Sequence, residues 1–358
     1  MKTIIIYDHM QNGSAVYSYI KKEFPQLKVR FVEFNHSKGI INKLKKIKQI
    51  GVINIVRGLI KNDNIIISTS PSTFQSMISD NIICINHGWA TKMTPGINEL
   101  QDKNKMNEYR VYKQKCKYIV CISDFDSTYY LKNESLSDIN EPQFLSLGMP
   151  RNDYLIDNKN NYKIIKSIRN QLGISEKHKV FLYAPTHRET EEKNIKLNKR
   201  IIEEFKALDE ILETKQYKIL YRPHYLSTDT EEEIKKLKNI YYVGNDRYSD
   251  MRDLMILSDI LITDYSSIFI DYLLIQKPII FYSYDLDEYC KIRGLVIDYT
   301  NEIHTPGPKI NNLKEILDID ENILNRYDLN LSRSFFHKNI DSKSTERVCK
   351  FIINQINK

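Results

Sequence analysis

Four times in this chain an apolar, β-branched run ends in residues that bind anions or carry protons. Ile82-Ile83-Cys84-Ile85 leads to His87-Gly88, and Val180-Phe181-Leu182-Tyr183 leads to Thr186-His187-Arg188. Ile219-Leu220-Tyr221 leads to Arg222-Pro223-His224, and Ile260-Leu261-Ile262-Thr263 to Asp264-Tyr265-Ser266-Ser267. Open parallel sheets bind ligands beyond the carboxyl ends of their strands, so these clusters are the candidate functional residues. The last of them is the most informative. Ser266 or Ser267 is a reasonable N-cap for a helix over the apolar stretch that begins at Ile268. A helix start presents free N–H groups and the positive end of its dipole to a phosphate. An ordinary strand–cap–helix turn has the same pattern, so this segment alone leaves both readings open.

The elements that must position these clusters can be read from periodicity and turn chemistry. Strands are expected at Thr3–Tyr7, Val29–Phe34, Asn64–Ser68, Asn81–Asn86, Tyr118–Ser123 and Phe144–Met149 in the first half. In the second half they are expected at Lys179–Ala184, Tyr217–Tyr221, Ile240–Val243, Ile260–Thr263 and Pro278–Tyr282. Strands alternating with helices indicate two doubly wound α/β domains, and 358 residues fit two such cores. Asp157-Asn158-Lys159-Asn160-Asn161 reads as a hinge. The expected division is therefore a first domain over 1–157, a second over 158–330, and a helical tail over 331–358 that packs back on the first. Glu189 to Leu212 reads as a charged helix with a solvated face. The turn after Thr3–Tyr7 has no G-x-G-x-x-G pattern, so a dinucleotide site is not expected.

Composition narrows the class further. A chain that is 41% hydrophobic and 28% charged is globular. Its five cysteines are scattered without a C-x-x-C pair, which argues against structural zinc and for a reducing compartment. The first apolar run is short and meets Asp8 at once, so no signal peptide is expected, and no run is long enough to span a bilayer. The net charge of +7 is unevenly placed: Lys38 to Lys61 holds no acid at all. As one helix, this segment 38–61 would put Ile40, Leu44, Ile47 and Ile50 on one face and Lys43, Lys45, Lys46 and Lys48 on the other. Such a helix suits an anionic membrane surface, the competing reading being a solvated lysine face over a core-packed stripe. No aromatic residue is interleaved for base stacking, so nucleic acid is the weakest partner.

A longer pattern surrounds the serine cluster. Leu261-Ile262-Thr263-Asp264-Tyr265-Ser266-Ser267, Asp271-Tyr272, Lys277-Pro278-Ile279-Ile280-Phe281, Tyr284-Asp285-Leu286-Asp287-Glu288-Tyr289, Arg293-Gly294 and Pro306-Gly307-Pro308 occur in order. Together they resemble the signature of the CDP-glycerol glycerophosphotransferases, enzymes that build teichoic acids and some capsules. The resemblance implies a GT-B-like architecture: two Rossmann-like domains facing a cleft, the acceptor domain first and the CDP-glycerol domain second. It implies His87 as the base that deprotonates the acceptor hydroxyl, and His224 as the second family histidine, on the donor pyrophosphate. Arg222, Ser266, Ser267, Thr186, Arg188 and Lys92 are implied to be substrate-binding residues, and Asp264 an orienting group. His87-Gly88-Trp89-Ala90-Thr91-Lys92 departs from the polymerase pattern between Gly88 and Lys92, which leaves the acceptor open. His187 stands where relatives often carry an aromatic residue and is given no catalytic role. Arg151-Asn152-Asp153 match a Pro-Arg-Asn-Asp motif for which a structural role is at least as good a reading.

Asp285-Leu286-Asp287 resembles a metal-chelating D-x-D but lies inside the family motif, so it reads as structural. No metal and no cofactor beyond the substrate CDP-glycerol are expected. The implied reaction is transfer of glycerol phosphate to an undecaprenyl-diphosphate-linked ManNAc-GlcNAc disaccharide with release of CMP, a primase reaction. The alternatives are a poly(glycerol phosphate) polymerase and a ribitol phosphate transferase using CDP-ribitol. From a different class comes an inactive, membrane-bound scaffold that binds a CDP-alditol, against which the intact His87, His224, Ser266 and Ser267 argue. The implied partners are CDP-glycerol, the lipid-linked saccharide and an anionic membrane. The implied location is peripheral, on the cytoplasmic face of a bacterial cell membrane.

Overall fold

The structure, a computed structural model, describes residues 2–8, 10–33, 40–61, 64–69, 73–86, 88, 91–130, 134–224 and 230–356, without the side chains of 40–44, 61 and 73. The chain divides into two compact units, Met1–Asp153 with Phe336–Lys358, and Tyr154–Phe335.

In the first unit the strands are β1 (Thr3–Tyr7), β2 (Val29–Val32), β3 (Asn64–Ser68), β4 (Ile82–Cys84), β5 (Cys116–Cys121) and β6 (Gln143–Ser146). They form one parallel sheet in the order β2-β1-β3-β4-β5-β6. Both faces are covered, which is why these strands read as continuous apolar runs. Ile4, Ile6, Ile65, Ile67, Ile83 and Val120 pack with Val16, Ile20, Val348 and Ile352 on one face. Ile5, Ile66, Ile82, Cys84 and Ile119 pack with Ile50 and Ile78 on the other.

The tail reaches this sheet through its last helix, Ser344–Ile356. Asp153 caps that helix from a distant part of the chain, its two carboxylate oxygens accepting from Ser344 N at 2.9 Å and Thr345 N at 2.8 Å. Gly148, at φ +86°, lies so close that a Cβ there would stand 2.4 Å from Ser344 Oγ. The Pro150-Arg151-Asn152-Asp153 stretch is thus the joint that docks the tail.

In the second unit β7 (Lys179–Ala184), β8 (Tyr217–Tyr221), β9 (Ile240–Tyr242), β10 (Ile260–Thr263), β11 (Ile279–Tyr282) and β12 (Lys309–Ile310) form a second parallel sheet. Its order, β12-β11-β10-β7-β8-β9, is that of a Rossmann fold, with the topological switch point between β7 and β10. β12, only two residues long, carries no periodicity by which a sequence reading could find it.

Two expectations are corrected. The charged helix, Glu191–Lys215, is not simply a solvated face: Leu197, Ile201, Phe205, Leu208 and Leu212 recur at intervals of three and four and form the core over β7 and β8. The basic segment is not one helix but two, Ile40–Ile50 and Val52–Lys61, broken at Gly51, whose φ is +86°. Ile50 is buried, whereas Lys45 and Lys48 are exposed and Lys46 half-buried. Lys43 lies on the first helix with its side chain outside the described set.

Removing the Asp153 cap should be felt as lost stability. Asp153→Ala is expected to cost about 1–2 kcal/mol, measured as a lower urea midpoint at unchanged m-value, and Asp153→Asn to restore part of it.

Candidate functional site

The residues expected to act divide between the two units. His87 lies outside the described residues. Lys92 is half-buried in the first unit. Thr186, Arg188, Arg222, His224, Asp264, Ser266 and Ser267 all belong to the second, just beyond the carboxyl ends of β7, β8 and β10. The register that pairs Ala184 with Thr263 sets Thr186 and Asp264 side by side at the switch point.

Arg188 is the centre of this group. Its Nη1 donates to Asp264 Oδ2 at 2.9 Å and to Thr186 O at 2.7 Å. Its Nε and Nη2 donate to Asp285 at 2.7 and 3.0 Å. Asp264 in turn accepts from Thr186 N at 2.8 Å, and its carbonyl accepts from the Tyr299 hydroxyl. The guanidinium also lies 5.1 Å from the Tyr265 ring and 5.5 Å from Tyr289, which stack on each other at 4.0 Å. Burial alone would depress the Arg188 pKa, but Asp264 and Asp285 outweigh it and hold the value well above the ordinary one. Burial, with Asp285 and Asp264 beside it, drives the Tyr265 hydroxyl far up, so it stays a donor to Asp285 Oδ1 at 2.8 Å. Arg188, expected to touch substrate, and Asp264, expected to orient its neighbours, thus direct their polar atoms to the protein. Asp285, read from the sequence as structural, is the second carboxylate on Arg188 and also accepts from Tyr265.

Arg222 is the second buried cation, and it faces carbonyls. It donates to Val243 O at 2.6 Å, to Tyr248 O and to Asn245 Oδ1, pinning the loop after β9. With no carboxylate in contact, burial lowers its pKa to about 10. Beside it the half-buried His224 ring stacks on His187, the centroids 4.8 Å apart and the planes 21° from parallel. Nothing in residue spacing signals that contact, because it joins the ends of two strands.

Around the switch point the hydroxyls differ in their bonding. Thr186 is 3% exposed, and its Oγ1 is buried without a hydrogen-bond partner. Ser266 Oγ accepts weakly from Ile268 N at 3.4 Å, and Ser267, at the N-cap, makes no capping bond. Both serines are half-buried. The helix they precede, Ile268–Tyr272, is five residues long, so the dipole expected to hold a phosphate is weaker than the sequence suggests. A cavity of about 620 Å³ lies on the other side of Asp285, lined by Ser283, Tyr284, Asp285, Asp287, Tyr299 and Lys309 among others. Thr186, Ser266, Ser267 and His224 do not line it, so it is a neighbour of the candidate site and not the site itself. Among the described residues no group of His, Cys, Asp and Glu is arranged to hold a metal ion.

Residues 5–354 match the family model described as CDP-glycerol:poly(glycerophosphate) glycerophosphotransferase. The chain is 31% identical over 262 residues to the teichoic acid glycerol-phosphate transferase of Staphylococcus aureus, covering 70% of this chain and 64% of that protein. It is 34% identical over 173 residues to the teichoic acid poly(glycerol phosphate) polymerase of Staphylococcus epidermidis, covering 48% of this chain and 23% of that one. With the teichoic acid glycerol-phosphate primase of Bacillus subtilis it shares 30% over 219 residues, 61% of this chain and 53% of that protein. The chain therefore matches less than two thirds of the length of each of these curated relatives. Among solved structures, the wall teichoic acid polymerase TagF aligns with a TM-score of 0.72 at 21% identity, covering 99% of this chain and 89% of that one. The Staphylococcus aureus MnaA–UDP co-structure aligns with a TM-score of 0.59 at 14% identity, covering 100% and 97%. At such identities these two likenesses speak for the fold alone.

Arg188→Ala leaves Asp264 and Asp285 buried without their cation. It is expected to destabilise the protein by about 3–5 kcal/mol, read from urea unfolding. Arg188→Lys should recover only part of this, because one ammonium cannot reproduce a fork that meets four oxygens.

Proposed function

The chain belongs to the CDP-glycerol:poly(glycerophosphate) glycerophosphotransferase family, and on that premise we propose that it transfers glycerol phosphate from CDP-glycerol to a hydroxyl of a lipid-linked saccharide, releasing CMP. The observation that carries this reading is Thr186 Oγ1, a buried hydroxyl without a partner at the switch point of a Rossmann-like sheet. An unmet polar atom in such a place is costly unless a ligand completes it. With the Ser266 and Ser267 hydroxyls it supplies the neutral donors that a pyrophosphate needs. Arg222 gives positive charge beneath the site, His224 meets the donor pyrophosphate as CMP departs, and Arg188 with Asp264 holds the frame. His87 takes the proton of the acceptor hydroxyl, whose oxygen attacks the glycerol-bearing phosphorus. The bond from that phosphorus to the bridging oxygen breaks, and CMP leaves with the electron pair. Lys92 neutralises charge on the acceptor side. The scheme needs no metal ion.

The preferred acceptor is the undecaprenyl-diphosphate-linked ManNAc-GlcNAc disaccharide, and the preferred outcome is a single addition. The relatives named above include a transferase, a primase and a polymerase, so product size is the deciding quantity. The protein works peripherally on an anionic membrane. No described helix is long and apolar enough to cross one. The helix Val52–Lys61 is instead turned inside out for a globular protein. Asn54 is buried and bonded to Ile50 O at 2.6 Å, and Gly58 is packed against Ile78 O. Val52, Ile53, Val56, Leu59 and Ile60 share the opposite face and are between 46% and 75% exposed. Phe74 and Met77 on the next helix add to the exposed apolar surface, and Lys45 and Lys48 are exposed on the helix before it. An apolar face with basic residues near it suits the interface of an anionic bilayer.

Incubation with CDP-glycerol and an analogue of the lipid-linked disaccharide, followed by mass spectrometry, tests the reaction. A single glycerol-phosphate adduct that persists in excess donor is expected. A ladder makes the protein a polymerase, and CMP release only with CDP-ribitol moves the donor. Absence of any transfer, with CDP-glycerol bound, returns the scaffold reading. Thr186→Val removes only the unpartnered hydroxyl, so it should fold at least as stably as the wild type yet bind CDP-glycerol about tenfold more weakly, measured by calorimetry. The double variant Ile53→Asp with Ile60→Asp should lose sedimentation with phosphatidylglycerol vesicles while keeping turnover on a water-soluble acceptor.

A further inference from the structure

We propose that His187 is a positioning residue of the donor site, its imidazole holding the plane of the His224 ring. This rests on the reading above, in which His224 meets the donor pyrophosphate. The two rings lie face to face, 4.8 Å between centroids and 21° from parallel, although they come from the ends of different strands, β7 and β8. Each is set in backbone that the structure nails down on both sides or on one. Before His187, Thr186 N donates to Asp264 at 2.8 Å. After it, Arg188 N donates to Asn194 Oδ1 at 2.6 Å while the Arg188 side chain is locked between two aspartates. Before His224 stand Arg222, tied by its guanidinium to the loop after β9, and Pro223, whose ring fixes φ.

A histidine that hydrogen-bonds a phosphate has to offer a ring nitrogen along one direction, and both of its side-chain torsions are otherwise free to turn. A parallel neighbour on a rigid strand end restricts both torsions through the ring face and does so without engaging the ring nitrogens. Both rings are half-buried. His187 on this account contributes its flat face and not its nitrogens. Transfer geometry is sensitive to displacements of about 1 Å, which can cost up to about 100-fold in rate. A stack that holds His224 is therefore expected to act on turnover more than on donor affinity.

The experiment compares His187→Ala and His187→Phe with the wild type and with His224→Ala, following CMP release, the KM for CDP-glycerol and the urea midpoint. In parallel, the His224 ring protons are followed by NMR in the intact protein. His187→Ala is expected to lower kcat about 10- to 100-fold, with the KM and the urea midpoint close to wild type, and to move the His224 ring resonances as the ring-current contribution of the stack is lost. His187→Phe is expected to restore kcat to within a few fold and to keep a ring-current shift. A phenylalanine variant as slow as the alanine variant would overturn the proposal, since the nitrogen and not the face would then matter. So would wild-type turnover in His187→Ala, a loss of kcat that follows a fall in stability, or His224 resonances indifferent to the substitution. If the wild type releases no CMP, or His224→Ala turns over normally, the functional reading fails, and the NMR comparison then decides the stack by itself.

Discussion

One buried guanidinium ties together the strand ends on which the second unit's chemistry depends. Arg188 leaves β7 and meets Asp264 beyond β10 and Asp285 beyond β11, three strands that are neighbours in the sheet. The planar fork of an arginine can address two carboxyl groups and a carbonyl at fixed angles, which a point charge cannot. Burying such a cluster is a poor way to gain stability, because desolvation offsets most of the attraction. Its value is geometric. It sets the loops after β7 and β10 in one orientation, and Thr186 hangs between them by its own N–H bond to Asp264.

That arrangement also decides which atoms remain for a ligand. One guanidinium against two carboxyl groups offers no surplus of positive charge to a phosphate. On the proposed reading the attraction comes from hydroxyls, backbone N–H groups and the Arg222 guanidinium on the other side of β7. Arg222 is held by carbonyls alone and keeps its charge uncompensated by direct contact. Thr186 keeps a hydroxyl free at the point where the sheet order reverses. Cation without carboxylate and hydroxyl without partner are the two features on which the proposed pyrophosphate site rests.

The first unit uses its sheet differently. One of its two core layers is closed by helices from both ends of the chain, the last of them capped by Asp153 from 191 residues earlier. The helix after Gly51 then presents apolar side chains outward while an asparagine and a glycine face the core. Such an inversion leaves a contiguous apolar face exposed, which is the feature on which the membrane proposal rests.

The sequence by itself determined the α/β class, eleven of the twelve strands among the described residues and the places where they end in polar clusters. These follow from alternation, β-branching and turn residues that are local properties of the chain. The long motif from Leu261 to Pro308 carried the family. Tertiary structure decided what each member of the clusters does. Arg188 looks like a ligand contact in sequence and is in space the shared partner of Asp264 and Asp285, because only folding brings the two carboxylates to it. Ser266 and Ser267 look like caps, but the helix they start is one turn long. The inward face of Glu191–Lys215 was masked by its charges, since five core residues in a 25-residue helix barely alter its composition. The His187–His224 stack was invisible for the same physical reason: contacts between neighbouring strand ends depend on register, and register is not written in the spacing of residues along the chain.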